Sequence, residues 1–114
     1  MPTFVIYTNL PKSGIPDTFL KEASIFAATQ LKKPESYVTV RVHPDQLMSH
    51  GGTPDICGSV EVYSIGSFGG DNKDHARAFT GFIEEHLHIP KDRFYVNFHE
   101  LKRSDVSLAG NTFG

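Results

Sequence analysis

The chain has 114 residues, 39% apolar, 11% aromatic and 21% charged, the make-up of one ordinary globular domain spanning residues 1–114. Eleven Lys and Arg against thirteen Asp and Glu give a net charge of −2, so nothing draws the chain to a nucleic-acid backbone or an anionic membrane surface. Its one cysteine, Cys57, excludes an intramolecular disulfide and a four-cysteine zinc site, and leaves both redox compartments open.

From the N-terminus, Phe4 and Ile6 alternate with Thr3, Val5 and Tyr7, which predicts a strand with Pro2 at its first position, where a missing N–H costs least. The longest purely apolar runs, Phe4 to Tyr7 and Ile25 to Ala28, fall far below the ~20 residues of a bilayer span or the ~7–15 of a signal-peptide core. Neither membrane insertion nor a leader is therefore expected. Pro11, Gly14 and Pro16 mark a turn. From Asp17 the apolar residues Phe19, Leu20, Ala23, Phe26, Ala27 and Leu31 recur at helical spacing, and Lys32 and Lys33 close that helix before Pro34. Tyr37 to His43 alternates again and predicts a second strand.

After the turn-rich stretch from His50 to Asp55 the same events recur. Val60, Val62 and Ser64 predict a strand; Gly66, Gly69 and Gly70 break it with residues suited to positive φ; Ala76, Phe79, Phe82, Ile83 and Leu87 predict a helix; Phe94, Val96 and Phe98 a last strand. A shift of 56 residues superposes Phe4 on Val60, Ile6 on Val62, Tyr7 on Tyr63, Leu31 on Leu87, Pro34 on Pro90 and Val40 on Val96. That is an internal repeat of a βαβ unit. Two such units with right-handed crossovers predict an α/β (α+β) domain: one four-stranded sheet with both helices on one face. The other face would carry Val5, Tyr7, Thr39, Arg41, His43, Glu61, Tyr63, Tyr95, Asn97 and His99, amphipathic enough to suit an interface between subunits. The tail from Ser104 has Val106, Leu108 and Phe113 without helical period, and could add an edge strand to a neighbour.

Few patterns carry chemistry. Six histidines include His86 and His88, which are two apart and point to different faces of a helix, while His43 and His99 have no accompanying carboxylate or cysteine motif, so no metal is expected. The segment Gly66 to Gly70 lacks the lysine of a phosphate loop, and Arg93 to Phe98 lacks the glycines of an RNA-binding strand. Cys57 has no adjacent base. Pro2 remains. If Met1 is removed, the chain begins with a secondary amine, and an apolar pocket or a nearby cation would keep such an amine neutral and able to act as a general base beside a carbonyl. The plainer alternative is that Pro2 only begins a strand.

The blocks Met1-Pro2-x-Phe4, Thr8-Asn9-x-Pro11, Ile15-Pro16-Asp17-x-Phe19-Leu20, Lys33-Pro34-x-x-Tyr37, Pro44-Asp45-Gln46-Leu47-Met48, Ser64-Ile65-Gly66, Asp92-Arg93-x-Tyr95-x-Asn97 and Asn111-Thr112-Phe113 together resemble the macrophage migration inhibitory factor (MIF) family of the tautomerase superfamily. The resemblance runs through essentially the whole chain. It implies a β-α-β-β-α-β protomer assembled as a homotrimer, acting without a cofactor. It also implies keto–enol tautomerisation of phenylpyruvate-like and dopachrome-like substrates by the processed N-terminal proline, here Pro2. By the same resemblance Lys33 would hold a substrate carboxylate and Ile65 would offer backbone hydrogen bonding. Tyr37 would line the pocket. Tyr95 and Asn97 would come from a neighbouring subunit, and Val106 and Phe113 would form an apolar wall. Cytokine-like signalling through a cell-surface receptor, with both cytoplasmic and leaderless secreted locations, is implied too. A non-catalytic, receptor-binding role with a vestigial pocket is the alternative. Val60 stands where a second cysteine would complete a C-x-x-C with Cys57, so thiol–disulfide activity is not carried over. Leu108 replaces an aromatic wall residue, and Lys12 replaces an arginine of the mammalian cytokine.

Overall fold

The computed structural model describes residues 1–114. Its elements are β1 (Thr3–Thr8), α1 (Phe19–Leu31), β2 (Thr39–His43), β3 (Gly58–Ile65), α2 (Lys73–Leu87), β4 (Phe94–Leu101) and two short tail strands, β5 (Ser107–Leu108) and β6 (Asn111–Thr112). The main sheet runs β2-β1-β3-β4. Within each half the two strands are parallel, joined by a helical crossover, and the halves meet through the antiparallel pair β1 and β3. The predicted α/β (α+β) architecture is thus the observed one. The second strand begins two residues later than the alternation suggested. Glu35–Tyr37 form a 3₁₀ turn after Pro34, so Tyr37 stands before the strand rather than in it.

The repeat extends to details that composition cannot carry. Each helix ends on a residue in the left-handed conformation, Lys32 at φ 55° and His88 at φ 57°, 56 positions apart. At the first end Lys33 N–H donates to the Ala28 carbonyl at 3.0 Å and Lys32 N–H to the Thr29 carbonyl at 3.3 Å, a Schellman closure. Pro34 and Pro90 then each lead into a 3₁₀ turn, Glu35–Tyr37 and Lys91–Arg93. On the outer face of the sheet Tyr7 stacks on His43 at 4.6 Å, and Tyr63 stacks on His99 at 4.5 Å, each pair side by side in register.

Both helices cover one face. Phe19, Ala23, Ala27 and Leu31 of α1 and Phe79, Phe82, Ile83 and Leu87 of α2 close over Phe4, Ile6, Val60, Val62 and Phe94. Phe79 is the hub. Its ring meets Phe4 edge-on at 4.9 Å and Phe26 edge-on at 4.9 Å, and it is fully buried. Phe79→Ala would leave a cavity among rings fixed by both helices and the sheet, and is expected to lower unfolding free energy by about 3–5 kcal/mol in urea titration. A change below 1 kcal/mol would contradict this packing.

The outer face is partly as predicted. Val5, with register partners Arg41 and Glu61, is buried there, while Tyr95 is 72% exposed. The Nε2 atoms of His43 and His99 are buried without a hydrogen-bond partner; Glu61 Oε2 lies 3.6 Å from the second, too far for one. The tail folds back on itself. Ala109 and Gly110, both at positive φ (53° and 85°), turn β5 into β6 as a two-residue hairpin.

Candidate active site

The site begins at the chain terminus. Thr3 pairs with Tyr63 in the antiparallel ladder and with Thr39 in the parallel one, so Pro2 stands opposite Ser64 on one side and beside Val38 on the other. Thr39 N–H donates to the Pro2 carbonyl at 3.0 Å, and the Pro2 ring is buried. The terminus is therefore held by a central strand rather than left loose. In this structure Met1 is present, so the free amine is Met1's and the Pro2 nitrogen belongs to a peptide bond.

Lys33 reaches this point because the helix end fixes it. The Schellman closure and Pro34 leave the residue after Lys32 no alternative course, and the side chain lies near enough to the terminal amine to act on it. Burial, first, and the Lys33 ammonium, second, hold that amine below its ordinary pKa of 8.0. Tyr37 lies two residues before Thr39, on the turn that carries the chain from Lys33 into β2. Ile65 closes β3, and the next residue, Gly66, donates its N–H to the Leu101 carbonyl at 2.9 Å. The tail leaves from that same end. Val106 and Phe113 are bound to each other there, Phe113 N–H donating to the Val106 carbonyl at 3.1 Å, with the Arg103 side chain donating to the Phe113 carbonyl at 2.9 Å.

Tyr95 and Asn97 do not join this group within one chain. Tyr95 pairs with Ser59, and Ser59 with Tyr7, five residues from the Pro2 level. That is about 16 Å along the strand. Asn97 sits over Glu61 and donates to its Oε2 at 2.9 Å. One chain thus assembles Pro2, Lys33, Tyr37 and Ile65 around its N-terminus, with Val106 and Phe113 on the adjoining tail, and presents Tyr95 and Asn97 elsewhere on its surface. Ser64 and Val38 are beside Pro2 and were not among the expected site residues. Their only signal is the strand register, which hydropathy does not contain.

Among the histidines, the one cysteine and the carboxylates, no group of three or more lies close enough to hold a metal ion. Cys57 is fully buried, with its N–H held by Asn9 Oδ1 at 2.9 Å. No helix is long and apolar enough to cross a membrane.

A two-layer β-α-β-β-α-β unit with a buried N-terminal proline beside a lysine defines a class of small α/β proteins built from a duplicated βαβ. The family model described as "Macrophage migration inhibitory factor (MIF)" matches residues 1–114, and the chain belongs to that family. It is 38% identical over 114 residues to macrophage migration inhibitory factor of Rattus norvegicus, covering 99% of each chain. It is 41% identical over 115 residues to the macrophage migration inhibitory factor homolog of Brugia malayi, covering 100% of both. The solved structure of the Trichinella spiralis factor superposes with a TM-score of 0.92 at 34% identity, covering 97% of this chain and 99% of that one.

Proposed function

We propose that this protein is a cofactor-independent tautomerase in which the Pro2 nitrogen, freed by removal of Met1, moves a proton between carbon and oxygen of an aromatic α-keto acid of the phenylpyruvate type or of a dopachrome-like substrate. The observation that carries the reading is the terminal amine held below 8.0 by burial and by Lys33. Pro2 lies one residue further in, buried in the same part of the fold, so burial and the Lys33 charge would lower its amine in the same direction once it is terminal. The neutral amine takes the α-proton next to the carbonyl, and the resulting ammonium returns it to the other end of the enol system. Lys33 pairs with the substrate carboxylate, which orients the α-carbon towards Pro2. Tyr37 and the Ile65 backbone flank the substrate, and the hairpin residues Val106 and Phe113 shield it from water.

The site is completed by a neighbour. Leu47 is fully exposed, yet its loop is pinned: Asp45 N–H donates to the Leu10 carbonyl at 2.9 Å and Gln46 N–H to the Thr8 carbonyl at 3.0 Å. The pinned loop thus holds an apolar side chain ready for a partner's socket. At the open edge of β2 the chain has a cavity of about 640 Å³ floored by Ile15, Leu20, Val40 and Val42. A knob and a socket at different places on the same surface make a head-to-tail contact, which gives a ring when the rotation between subunits closes. We therefore read the assembly as a homotrimer in which each Leu47 enters the next chain's cavity and Tyr95 and Asn97 reach the next chain's Pro2. Extracellular, receptor-directed signalling fits the family as well. Lys12 and Asp45 remain together on the surface, Lys12 N–H donating to Asp45 Oδ2 at 3.3 Å. Comparing Pro2→Gly in turnover and in cell-migration assays separates catalysis from signalling.

The test is phenylpyruvate turnover as a function of pH. Only the neutral amine is a base, so the rate should rise with pH through a midpoint lowered, by burial and then by Lys33, from that of a free terminal proline, and then level off. Below the midpoint it should fall about tenfold per pH unit. Lys33→Ala removes the smaller of the two depressing influences and should move the midpoint upward. It should also raise KM about ten- to a hundredfold through loss of a charged hydrogen bond. A flat profile, or no turnover by the processed protein, would leave the non-catalytic reading in its place.

A further inference from the structure

We infer that His75 is a positioning residue for the proposed reaction: it ties the loop that follows Ile65 to the end of the helix that presents Lys33, and so fixes the width of the pocket between them. The inference rests on the tautomerase reading of Pro2 and Lys33.

His75 stands in the first turn of α2, and its two ring nitrogens face two other elements. Nε2 lies 2.8 Å from the Phe68 carbonyl, and Nδ1 lies 3.0 Å from Gln30 Nε2. A carbonyl oxygen can only accept, so Nε2 carries the hydrogen. In the neutral ring Nδ1 is then an acceptor, and the Gln30 amide must donate to it. The result is a directed chain from α1 through the imidazole to the loop. Gln30 is the last but one residue of α1, three before Lys33, at the helix end that closes through Lys32 and Lys33.

The loop needs such a tie. Gly66, Gly69 and Gly70 take φ of 75°, 85° and 104°, conformations that the backbone adopts at the cost of having no side chains there to hold it. Its one internal side-chain bond is local, Gly69 N–H to Ser67 Oγ at 3.0 Å. His75 is the only side chain from outside residues 66–70 that hydrogen-bonds to them. Phe68 supplies the apolar half of the anchor, its ring meeting Phe98 edge-on at 5.4 Å and His75 at 6.0 Å. The tie thus joins the element whose backbone at Ile65 flanks the substrate to the element whose Lys33 holds its carboxylate. Releasing it lets the two walls separate, which weakens the carboxylate contact while leaving the base on β1 in place.

His75→Phe keeps the ring packing and removes both hydrogen bonds. It should raise KM for phenylpyruvate about tenfold with kcat within twofold, because the lost interactions act on the Lys33 contact. KM for the methyl ester of phenylpyruvate, which has no carboxylate for Lys33, should stay within twofold of wild type. His75→Gln retains one donor and one acceptor and should restore most of the loss. Gln30→Ala should reproduce the His75→Phe effect, and the double variant should add little to it. An unchanged KM in His75→Phe, or equal changes for acid and ester, would overturn the inference. Amide hydrogen exchange across residues 66–70 tests the tie without reference to turnover. It should speed up about tenfold in His75→Phe. Unaltered exchange overturns the tie even if the enzyme is active. A wild-type protein that does not turn over phenylpyruvate refutes the tautomerase reading and the catalytic role of His75 together, whereas accelerated exchange would still establish the physical link.

Discussion

A preparation that retains Met1 will fold and assemble like the processed protein but will turn over phenylpyruvate at least about a thousandfold more slowly. With Met1 attached, the Pro2 nitrogen is a tertiary amide whose lone pair is delocalised into the carbonyl, and it has neither a proton to exchange nor the basicity to take one. The Met1 amine is no substitute. Although burial and Lys33 lower its pKa, it lies one residue beyond the point where Thr39 and the strand register fix Pro2. Intact-mass measurement on the two forms, paired with initial rates, makes the comparison direct. Pro2→Gly, processed at the same place, should recover only a small part of the rate, since a primary amine on a flexible glycine loses both the ring's fixed direction and the apolar packing of a buried residue. Equal rates for the Met1-retaining and processed proteins would remove Pro2 from the mechanism.

On the proposed assembly, Leu47→Asp will convert the trimer to a folded 12.6 kDa monomer and abolish the proposed turnover. The side chain touches nothing in its own chain, being fully solvated, so the substitution removes no intramolecular contact and the monomer's thermal midpoint should hardly change. At the interface the same change replaces about 1.5–3 kcal/mol of apolar burial per contact with the desolvation of a carboxylate against Val40 and Val42. The proposed ring would have one such contact per subunit, so the losses act together. In the proposed site, turnover falls because Tyr95 and Asn97 no longer reach a neighbour's Pro2. Leu20→Asp places the same charge in the socket and should give the same monomer. Light scattering that still reports a trimer for both variants would refute this contact.

Much of the fold was legible because it obeys simple periods. Alternation over Thr3 to Tyr7 and helical spacing over Phe19 to Leu31 reflect which side of each element meets the core, and core burial is a property that each residue type carries with it. The shift of 56 was legible for the same reason. It foreshadowed paired features that hydropathy does not encode, such as the left-handed ends at Lys32 and His88. The repeat also has an informative break. The counterpart of Lys33 is Ile89, which is fully buried, so only the first half presents a cation beside a strand start. Tyr37 was misplaced because alternation continues through the 3₁₀ turn that Pro34 initiates, and a period cannot distinguish an extended residue from one in a tight turn. The Gln30–His75–Phe68 chain had no signal at all in the sequence, where His75 was one histidine among six.

The sequence by itself determined the order of the main strands and helices, the duplicated βαβ, the amphipathic outer face and a proline after Met1, since each depends on residue identity and spacing along the chain. Only the tertiary structure decided that β1 lies in the middle of the sheet, that the terminal amine is partly buried and within reach of the Lys33 charge, and that Tyr95 lies about 16 Å along the strands from Pro2 in the same chain. The physical reason is that pairing register and helix ends place residues distant in sequence side by side. The pKa of an amine, the reach of a lysine and the separation of Tyr95 from Pro2 are all properties of that placement.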